Sequence, residues 1–388
     1  MKKKIIILGS SGSIGRSFID ILKKDPNDFE ILLITVNKNI HQLLKQIKIF
    51  NVKNIIVNDK KSFLKVKKIL KNRKINIYNN YDSISKIFEK NKADYALNAI
   101  SGLDGLSPTL KIIKFTKIIA IANKESIICG WSLIIKKLNK YKVKFIPIDS
   151  EHFSIWSLIH DTKNKDVEKV FITASGGPFN DYPLNKFNKI NIIQALKHPK
   201  WKMGKKISID SATLMNKVFE IIEAKKIFDY KYNQLKILIH PDSYVHAIIK
   251  FKNGLTKMLI HDTDMRIPIF NSLYSNFEKK IKTKELDFNI LNKLNFKKVD
   301  LVKFPVVKIL KKMPNNDSLF ETVIVSANDK LVNLFLKRKI TFNQISILLL
   351  KIIEMKEFKK FKKIKVRNID QIVKLSNYVS LKISNLAI

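Results

Sequence analysis

The sequence predicts an α/β protein: an N-terminal doubly wound, Rossmann-like sheet, a central α/β domain and a C-terminal helical bundle. Three observations predict it. Short apolar runs alternate with helical patterns up to about residue 150. A second group of strands with longer loops follows. From about residue 318, apolar side chains recur at helical spacing. The expected divisions are 1–150, 151–275, a connecting arm at 276–315, and 316–388.

In the first part the strand candidates are "KIIIL" (4–8), "EILLITV" (30–36), "NIIVN" (54–58), "INIY" (75–78), "DYALNAI" (94–100), "KIIAIA" (117–122) and "VKFIPI" (143–148). Ile14, Phe18, Ile21 and Leu22 share a helical face between the first two, and "IHQLLKQIKIF" (40–50) behaves likewise before the third. The order βαβαβ implies a mainly parallel sheet. In the second part, "VFITASGGPF" (170–179), "LKILIHP" (235–241), "YVHAIIKF" (244–251) and "TKMLI" (256–260) read as strands of a mixed or antiparallel sheet, and "SATLMNKVFEIIEAKKIF" (211–228) reads as a helix. Residues 275–315 read as irregular and lysine-rich. The bundle rests on Phe320, Val323, Ile324, Ala327, Leu331, Leu334 and Phe335, then on Ile345, Leu348, Leu349 and Ile352.

Hydrophobic content of 45% over 388 residues supports well-buried cores. Cys129 is the one cysteine, which excludes an internal disulfide and fits a reducing compartment. The opening "MKKKIIILGSSGSIG" has an apolar run too short for a signal peptide, and no run approaches the roughly 20 apolar residues of a membrane span. A cytoplasmic protein with no membrane partner is expected. The net charge of +41 invites a nucleic-acid or anionic-membrane reading. Only five of the 74 basic residues are arginine, and the lysines are spread through almost every segment, which reads as compositional drift. The densest cluster, "KEFKKFKKIKVR" (356–367), reads as a solvated helix face or connector. No specific nucleic-acid partner is expected; the field favours anionic small molecules.

"IIILGSSGSIG" (5–15) sets Gly9, Gly12 and Gly15 between a strand and a helix. Glycine allows close approach of backbone to phosphate, and the helix start offers free N–H groups. An NAD enzyme usually ends its second strand with an acid that binds the ribose 2′-hydroxyl. Here the run is "ITVNKN" (34–39), and Lys38 would welcome a 2′-phosphate, which favours NADPH.

Asp149 and Glu151 follow the seventh strand at i and i+2, a spacing that on a strand points both side chains the same way. A solvated loop would explain an isolated "DSE". Two close carboxylates repel unless a cation or proton intervenes, and a hard cation such as Mg²⁺ or Mn²⁺ would resolve this. A third carboxylate is then expected elsewhere. In "DSATLMNKVFE" (210–220), Asn216, Lys217 and Glu220 can share one side of a helix. Beside Ser211, this set suits a phosphorylated, metal-bound substrate; a capped surface helix with an ion pair would look the same.

Several stretches together resemble the 1-deoxy-D-xylulose 5-phosphate reductoisomerases of non-mevalonate isoprenoid synthesis. They are "ILGSSGSIG", "ANKES" (122–126), "PIDSEH" (147–152), "SGGPF" (175–179), "HPKWKMGKKISIDSATLMNK" (198–217), "EAKKIF" (223–228), "ILIHPDSYVH" (237–246), "DMRIPI" (264–269) and "SAND" (326–329). The resemblance implies an NADPH-dependent rearrangement and reduction of a ketose phosphate in a homodimer, with the central domain catalytic. It implies that Ser11, Gly12, Ser13 and Ile14 hold the cofactor phosphates. Asn37, Lys38 and Asn39 would lie near the adenosine side, and Asn123, Glu125 and Gly204 would also contact the cofactor. Asp149, Glu151 and Glu220 would bind one divalent cation, Mg²⁺ or Mn²⁺, with Co²⁺ also suitable. Lys124, Ser150 and Glu151 would meet the substrate's polar centre, with Lys124 assisting charge development or proton transfer. Ser175, His198, Ser211, Asn216 and Lys217 would hold its phosphate and nearby oxygens. "HPKWKMG" would be a flap, with Trp201 covering the substrate and Met203 packing nearby. His152 has an expected structural or supporting role. The sequence departs from the family pattern at Asn37 and His261, where glycine is usual, and carries Lys200 and Lys202 on the flap. Another NADP-dependent dehydrogenase acting on a phosphorylated substrate is the alternative; it would need no cation.

Overall fold

The computed structural model describes residues 1–89, 92–160, 162, 164–201, 203–274 and 279–386. Lys202 of the flap lies outside them. The chain forms two compact units.

The first unit comprises residues 1–126, 133–153 and 264–282. Its sheet contains all seven expected strands: β1 (Lys3–Leu8), β2 (Phe29–Val36), β3 (Asn54–Val57), β4 (Asn76–Tyr78), β5 (Ala93–Asn98), β6 (Thr116–Ile121) and β7 (Lys144–Pro147). Every pairing is parallel, in the order β4-β3-β2-β1-β5-β6-β7. A sheet covered on both faces needs continuous apolar strands, and Ile5, Ile6, Ile7 and Leu8 are all buried. The strand order reverses between β1 and β5, which opens a crevice at their carboxyl ends. On helix Ser13–Leu22, Phe18, Ile19, Ile21 and Leu22 face the sheet. Helix Arg266–Leu273 packs on that helix and adds Ile269, Phe270 and Leu273 to the same core. Each such side chain contributes about 1.5–3 kcal/mol when fully buried.

The second unit comprises residues 127–132, 154–263 and 283–388. Its five-stranded sheet is β8 (Val167–Ala174), β9 (Leu235–Ile239), β10 (Val245–Phe251), β11 (Thr256–Ile260) and β12 (Lys297–Lys298), ordered β11-β10-β8-β9-β12. The sheet is mixed, as expected: β8 and β9 run parallel, and the other pairings are antiparallel. The stretch expected to be irregular supplies edge strand β12 and the 3-10 helix Pro305–Lys312, whose Val306 and Ile309 are buried. Helices Phe320–Leu336, Phe342–Ile352 and Ile369–Asn385 form the C-terminal bundle, with the first packing on the other two. The basic cluster at 356–367 is a connector: Phe358 is fully buried against Tyr378, with ring centroids 6.2 Å apart.

Two local expectations need correction. The helix expected over 211–228 is two helices, Lys205–Ala212 and Met215–Phe228, because Leu214 adopts a left-handed φ of 62°. Asp149 and Glu151 do not share one face of a strand. The strand β7 ends at Pro147, and Glu151 lies in the first turn of helix Ser150–Leu158. The Phe153 N–H donates to the Asp149 carbonyl at 2.7 Å, so Asp149 sits at the helix start.

Candidate active site

In the first unit, the predicted cofactor residues lie at the carboxyl ends of β1, β2 and β6. Gly9 has φ 81°, and a β-carbon there would lie 2.9 Å from the Ala99 backbone. A β-carbon on Gly15 would lie 2.4 Å from the Gly9 carbonyl. These two glycines therefore make the turn possible. Gly12 stands at the start of helix Ser13–Leu22, which has no side-chain cap. The N–H groups of Gly9 and Ser10 donate to Thr35, and that of Gly12 to Gly9. Those of Ser11, Ser13 and Ile14 have no partner among the described residues, which leaves them for an anion.

Asn37, Lys38 and Asn39 follow β2. The Asn39 side chain caps helix Ile40–Ile49 by accepting from the Gln42 N–H at 3.1 Å. Lys38 is exposed, and no acid occupies its position. Asn123, after β6, caps helix Lys124–Tyr141 by accepting from the Ser126 N–H at 2.7 Å. Its amide nitrogen donates to the Ile100 and Gly102 carbonyls, so the side chain is occupied in shaping the crevice loops. Glu125 lies in the first turn of the same helix.

Lys124 and Asp149 form an ion pair through Lys124 Nζ and Asp149 Oδ2, both largely buried. His152 Nδ1 lies 3.1 Å from Asp149 Oδ1. Burial pushes the Asp149 carboxyl up; the Lys124 ammonium, against Glu151 and with help from His152, holds it below the usual carboxylate range. The Ser150 hydroxyl donates to Glu151 Oε2 at 2.6 Å.

In the second unit, Ser175, His198, Ser211 and the neighbouring pair Asn216 and Lys217 come from separate segments. The Lys200 and Trp201 N–H groups donate to His198 Nδ1 at 3.2 and 2.9 Å. That nitrogen must therefore be unprotonated, and the ring hydrogen sits on Nε2. Burial, then the nearby Lys217 charge, lower the imidazole pKa to about 4, so the ring is neutral at pH 7. His198 Nε2 faces Ser175 Oγ at 3.3 Å, and the Gly177 N–H donates to the same oxygen at 3.1 Å. Ser175 thus accepts twice and keeps its own hydrogen to donate. A β-carbon on Gly177 would lie 2.9 Å from the Ser211 carbonyl, so this turn packs directly on Ser211. Asn216 donates to Glu220 Oε1 at 2.5 Å, and Lys217 Nζ lies 2.6 Å from Glu220 Oε2. The predicted one-sided arrangement of Asn216, Lys217 and Glu220 is present on helix Met215–Phe228.

The flap residue Trp201 packs edge-on to His246, at 6.3 Å between centroids, and His246 stacks on His261 at 3.7 Å. His261, the departure noted above, thus backs the ring that faces Trp201. Beside Ser175 lies a cleft of about 420 Å³ bordered by Asn180, Tyr182, Lys200 and Asp242. Lys200 pairs with Asp242 at 3.3 Å. Gly204 begins helix Lys205–Ala212, and no described residue lies within 4 Å of a β-carbon placed on it.

Sequence reasoning missed three buried polar residues. Gln46 binds Ser10; Asn98 binds Gly105 and Thr109; Asn328 donates to Asp210 at 2.7 Å. The available signal was a polar residue inside an otherwise apolar helix or strand pattern.

The open sheet with its phosphate turn, and the second unit's basic and hydroxyl cradle, define the class: a dinucleotide-dependent oxidoreductase acting on a phosphorylated compound. Profiles described as 1-deoxy-D-xylulose 5-phosphate reductoisomerase, its C-terminal domain, and DXP reductoisomerase C-terminal domain match residues 5–130, 145–228 and 260–379. A 1-deoxy-D-xylulose 5-phosphate reductoisomerase of Pelagibacter ubique is 63% identical over 387 residues, covering 100% of both chains. One from Clostridium novyi is 38% identical, covering 88% of this chain and 90% of its own. Among solved structures, the Zymomonas mobilis reductoisomerase in complex with NADPH superposes with a TM-score of 0.88 at 28% identity, covering 100% of this chain and 99% of its own. A DOX-P reductoisomerase in complex with NADPH, fosmidomycin and magnesium gives 0.89 at 29%, covering 98% and 97%. The chain belongs to the 1-deoxy-D-xylulose 5-phosphate reductoisomerase family.

Proposed function

We infer that the protein converts 1-deoxy-D-xylulose 5-phosphate to 2-C-methyl-D-erythritol 4-phosphate, using NADPH and one divalent cation. The observation that carries this is the full-length 63% identity to a reductoisomerase. Asp149, Glu151 and Glu220 are the assigned cation ligands. Their support is that each is held by a polar neighbour: Asp149 pairs with Lys124, Glu151 accepts from Ser150 and Glu220 accepts from Asn216. An all-oxygen set suits Mg²⁺ or Mn²⁺. NADPH fits the turn at Gly9–Ile14 through its free N–H groups, with Lys38 for the 2′-phosphate and Asn37, Asn39, Asn123, Glu125 and Gly204 as further contacts.

When bound, the cation supplies Lewis acidity to the ketose oxygens and NADPH supplies the hydride. The protein's residues do the rest. Lys124 stabilises negative charge as it develops on a substrate oxygen, assisted by Ser150. Ser175 donates its remaining hydrogen to the phosphate, with Ser211, Asn216 and Lys217 as partners. His198 stays neutral, fixes the Ser175 lone pairs and anchors the flap backbone. Trp201 and Met203 exclude water. Binding energy from the phosphate orients the reacting carbons.

The same reading takes the protein as a cytoplasmic homodimer. Edge strand β11, flanked by exposed Leu255 and carrying exposed Met258, offers apolar surface for a second copy. No helix among the described residues is long and apolar enough to cross a membrane.

The test is a direct assay with pure protein, deoxyxylulose phosphate, NADPH and Mg²⁺, following NADPH absorbance. No consumption with cation present overturns the function. Glu220→Gln should lower kcat/KM more than about 100-fold, beyond the loss seen when a ligand's outer partner is removed. An unchanged rate overturns the cation assignment alone.

A further inference from the structure

Gln46 occupies an apolar position on helix Ile40–Ile49, beside Leu43 and Ile47, and is only 2% exposed. A buried amide needs partners, and both ends of this one go to a single residue. Gln46 Oε1 accepts from the Ser10 hydroxyl at 2.7 Å, and Gln46 Nε2 donates to the Ser10 carbonyl at 2.9 Å. The Ser10 N–H donates to the Thr35 carbonyl at 3.0 Å. Every polar group of Ser10 is therefore held.

We propose that Gln46 is a positioning residue for NADPH that sets the orientation of the Ser10–Ser11 peptide. The peptide is planar and trans, so its carbonyl and its N–H point in opposite directions. The Gln46 amide holds the carbonyl toward the protein interior. The Ser11 N–H, which belongs to the same peptide and has no partner among the described residues, is thereby turned the other way, toward the ligand side of the turn. Without the Gln46 donor, the peptide can rotate and present its carbonyl dipole to the cofactor phosphates. Ser11 then loses a donor, and the phosphate gains a repulsive neighbour. Asn39 caps the other end of Gln46's helix, so one rigid element serves both the phosphate turn and the Lys38 loop.

This assignment rests on the NADPH reading. It is tested with Gln46→Met, which keeps the volume and removes both hydrogen bonds, and with Ser10→Ala, which removes only the hydroxyl bond and leaves the amide–carbonyl bond. Three quantities are measured in each protein: Kd for NADPH by nicotinamide fluorescence, Ki for adenosine 2′-phosphate, which lacks the pyrophosphate, and KM for deoxyxylulose phosphate. Gln46→Met should weaken NADPH about tenfold, the loss of one good hydrogen bond, with the other two constants within twofold. Ser10→Ala should weaken NADPH less than threefold. Equal losses in the two variants, or an adenosine 2′-phosphate Ki raised as much as the NADPH Kd, overturn the proposal, because a general loosening of the turn gives that result. If Gln46→Met does not fold, Ser10→Ala decides: a tenfold or greater NADPH loss refutes control through the carbonyl, and a loss below threefold supports it. Wild-type protein that binds no NADPH overturns the cofactor reading and this proposal with it.

Discussion

Replacing Lys226 by methionine removes an ammonium from the interior of the second unit. Lys226 Nζ lies 2.6 Å from Asp317 and 3.0 Å from Glu321, and the Lys226 and Glu321 side chains are each 3% exposed. Burial pushes the ammonium pKa down, but Glu321 and Asp317 outweigh it and hold the group charged. The two acids will not respond alike. Asp317 is 32% exposed, and water will screen it. Among the described residues, Glu321 keeps the Ser318 hydroxyl, at 2.6 Å, as its hydrogen-bond partner for a buried negative charge. Breaking a buried pair from one side costs about 3–5 kcal/mol. The stability read from a urea titration should therefore drop by about 3–5 kcal/mol. Adding Glu321→Gln to Lys226→Met removes the stranded charge and should restore at least half of the loss. A single variant within about 0.5 kcal/mol of wild type, the range of ordinary surface changes, would refute the reasoning. So would a double variant no more stable than the single one. Lys226 lies on the helix that carries Glu220, so a loss of stability here should be accompanied by weaker cation activation.

Gly15→Ala puts a carbon 2.4 Å from the Gly9 carbonyl and should destabilise the protein by about 1–3 kcal/mol in a urea titration. Gly12→Ala, whose new carbon meets nothing closer than 3.6 Å, should stay within about 0.5 kcal/mol. His198 titrates near pH 4 when folded and near 6.5 when unfolded, so below pH 6.5 the unfolded chain takes up the proton first. Its contribution to stability is complete above that pH, falls as pH drops toward 4, and is constant below; the urea midpoint of His198→Asn should lack this slope relative to wild type. Lys38→Ala should raise the KM for NADPH about tenfold, the loss of one charge-assisted contact, and leave that for NADH unchanged.

The strands of the first unit were legible because a sheet covered on both faces selects long isoleucine, valine and leucine runs. The glycine turn was legible for the same local reason: no other residue fits at Gly9 or Gly15. Two kinds of feature were not legible. Helix Arg266–Leu273 returns to the first unit across more than a hundred intervening residues, and its apolar side chains carry no mark of which core they will join. The start of helix Ser150–Leu158 was hidden because "KVKFIPIDSEH" continues an apolar run straight into its cap. At the site, the types of residue were readable from their chemistry. Their hydrogen-bond roles were not, because the tautomer of His198 and the spare hydrogen of Ser175 depend on backbone N–H groups that only folding brings near.

Leu214 holds its left-handed conformation through burial and through backbone hydrogen bonds: its N–H donates to the Ser211 carbonyl at 3.0 Å and its carbonyl accepts from the Lys217 and Val218 N–H groups. A leucine there sacrifices about 1–2 kcal/mol relative to a right-handed residue, and its side chain is locked among Ala174, Ile239 and Phe304. The kink thus depends in part on a hydrophobic cluster whose Leu214 lies just before Asn216 and Lys217, the proposed phosphate partners. Phe304→Ala should loosen that cluster and disturb the setting of Asn216 and Lys217, which would show as a raised KM for deoxyxylulose phosphate. Substitutions at Phe304 or Ile239 can therefore alter phosphate affinity, at positions that a screen confined to the proposed substrate contacts would pass over.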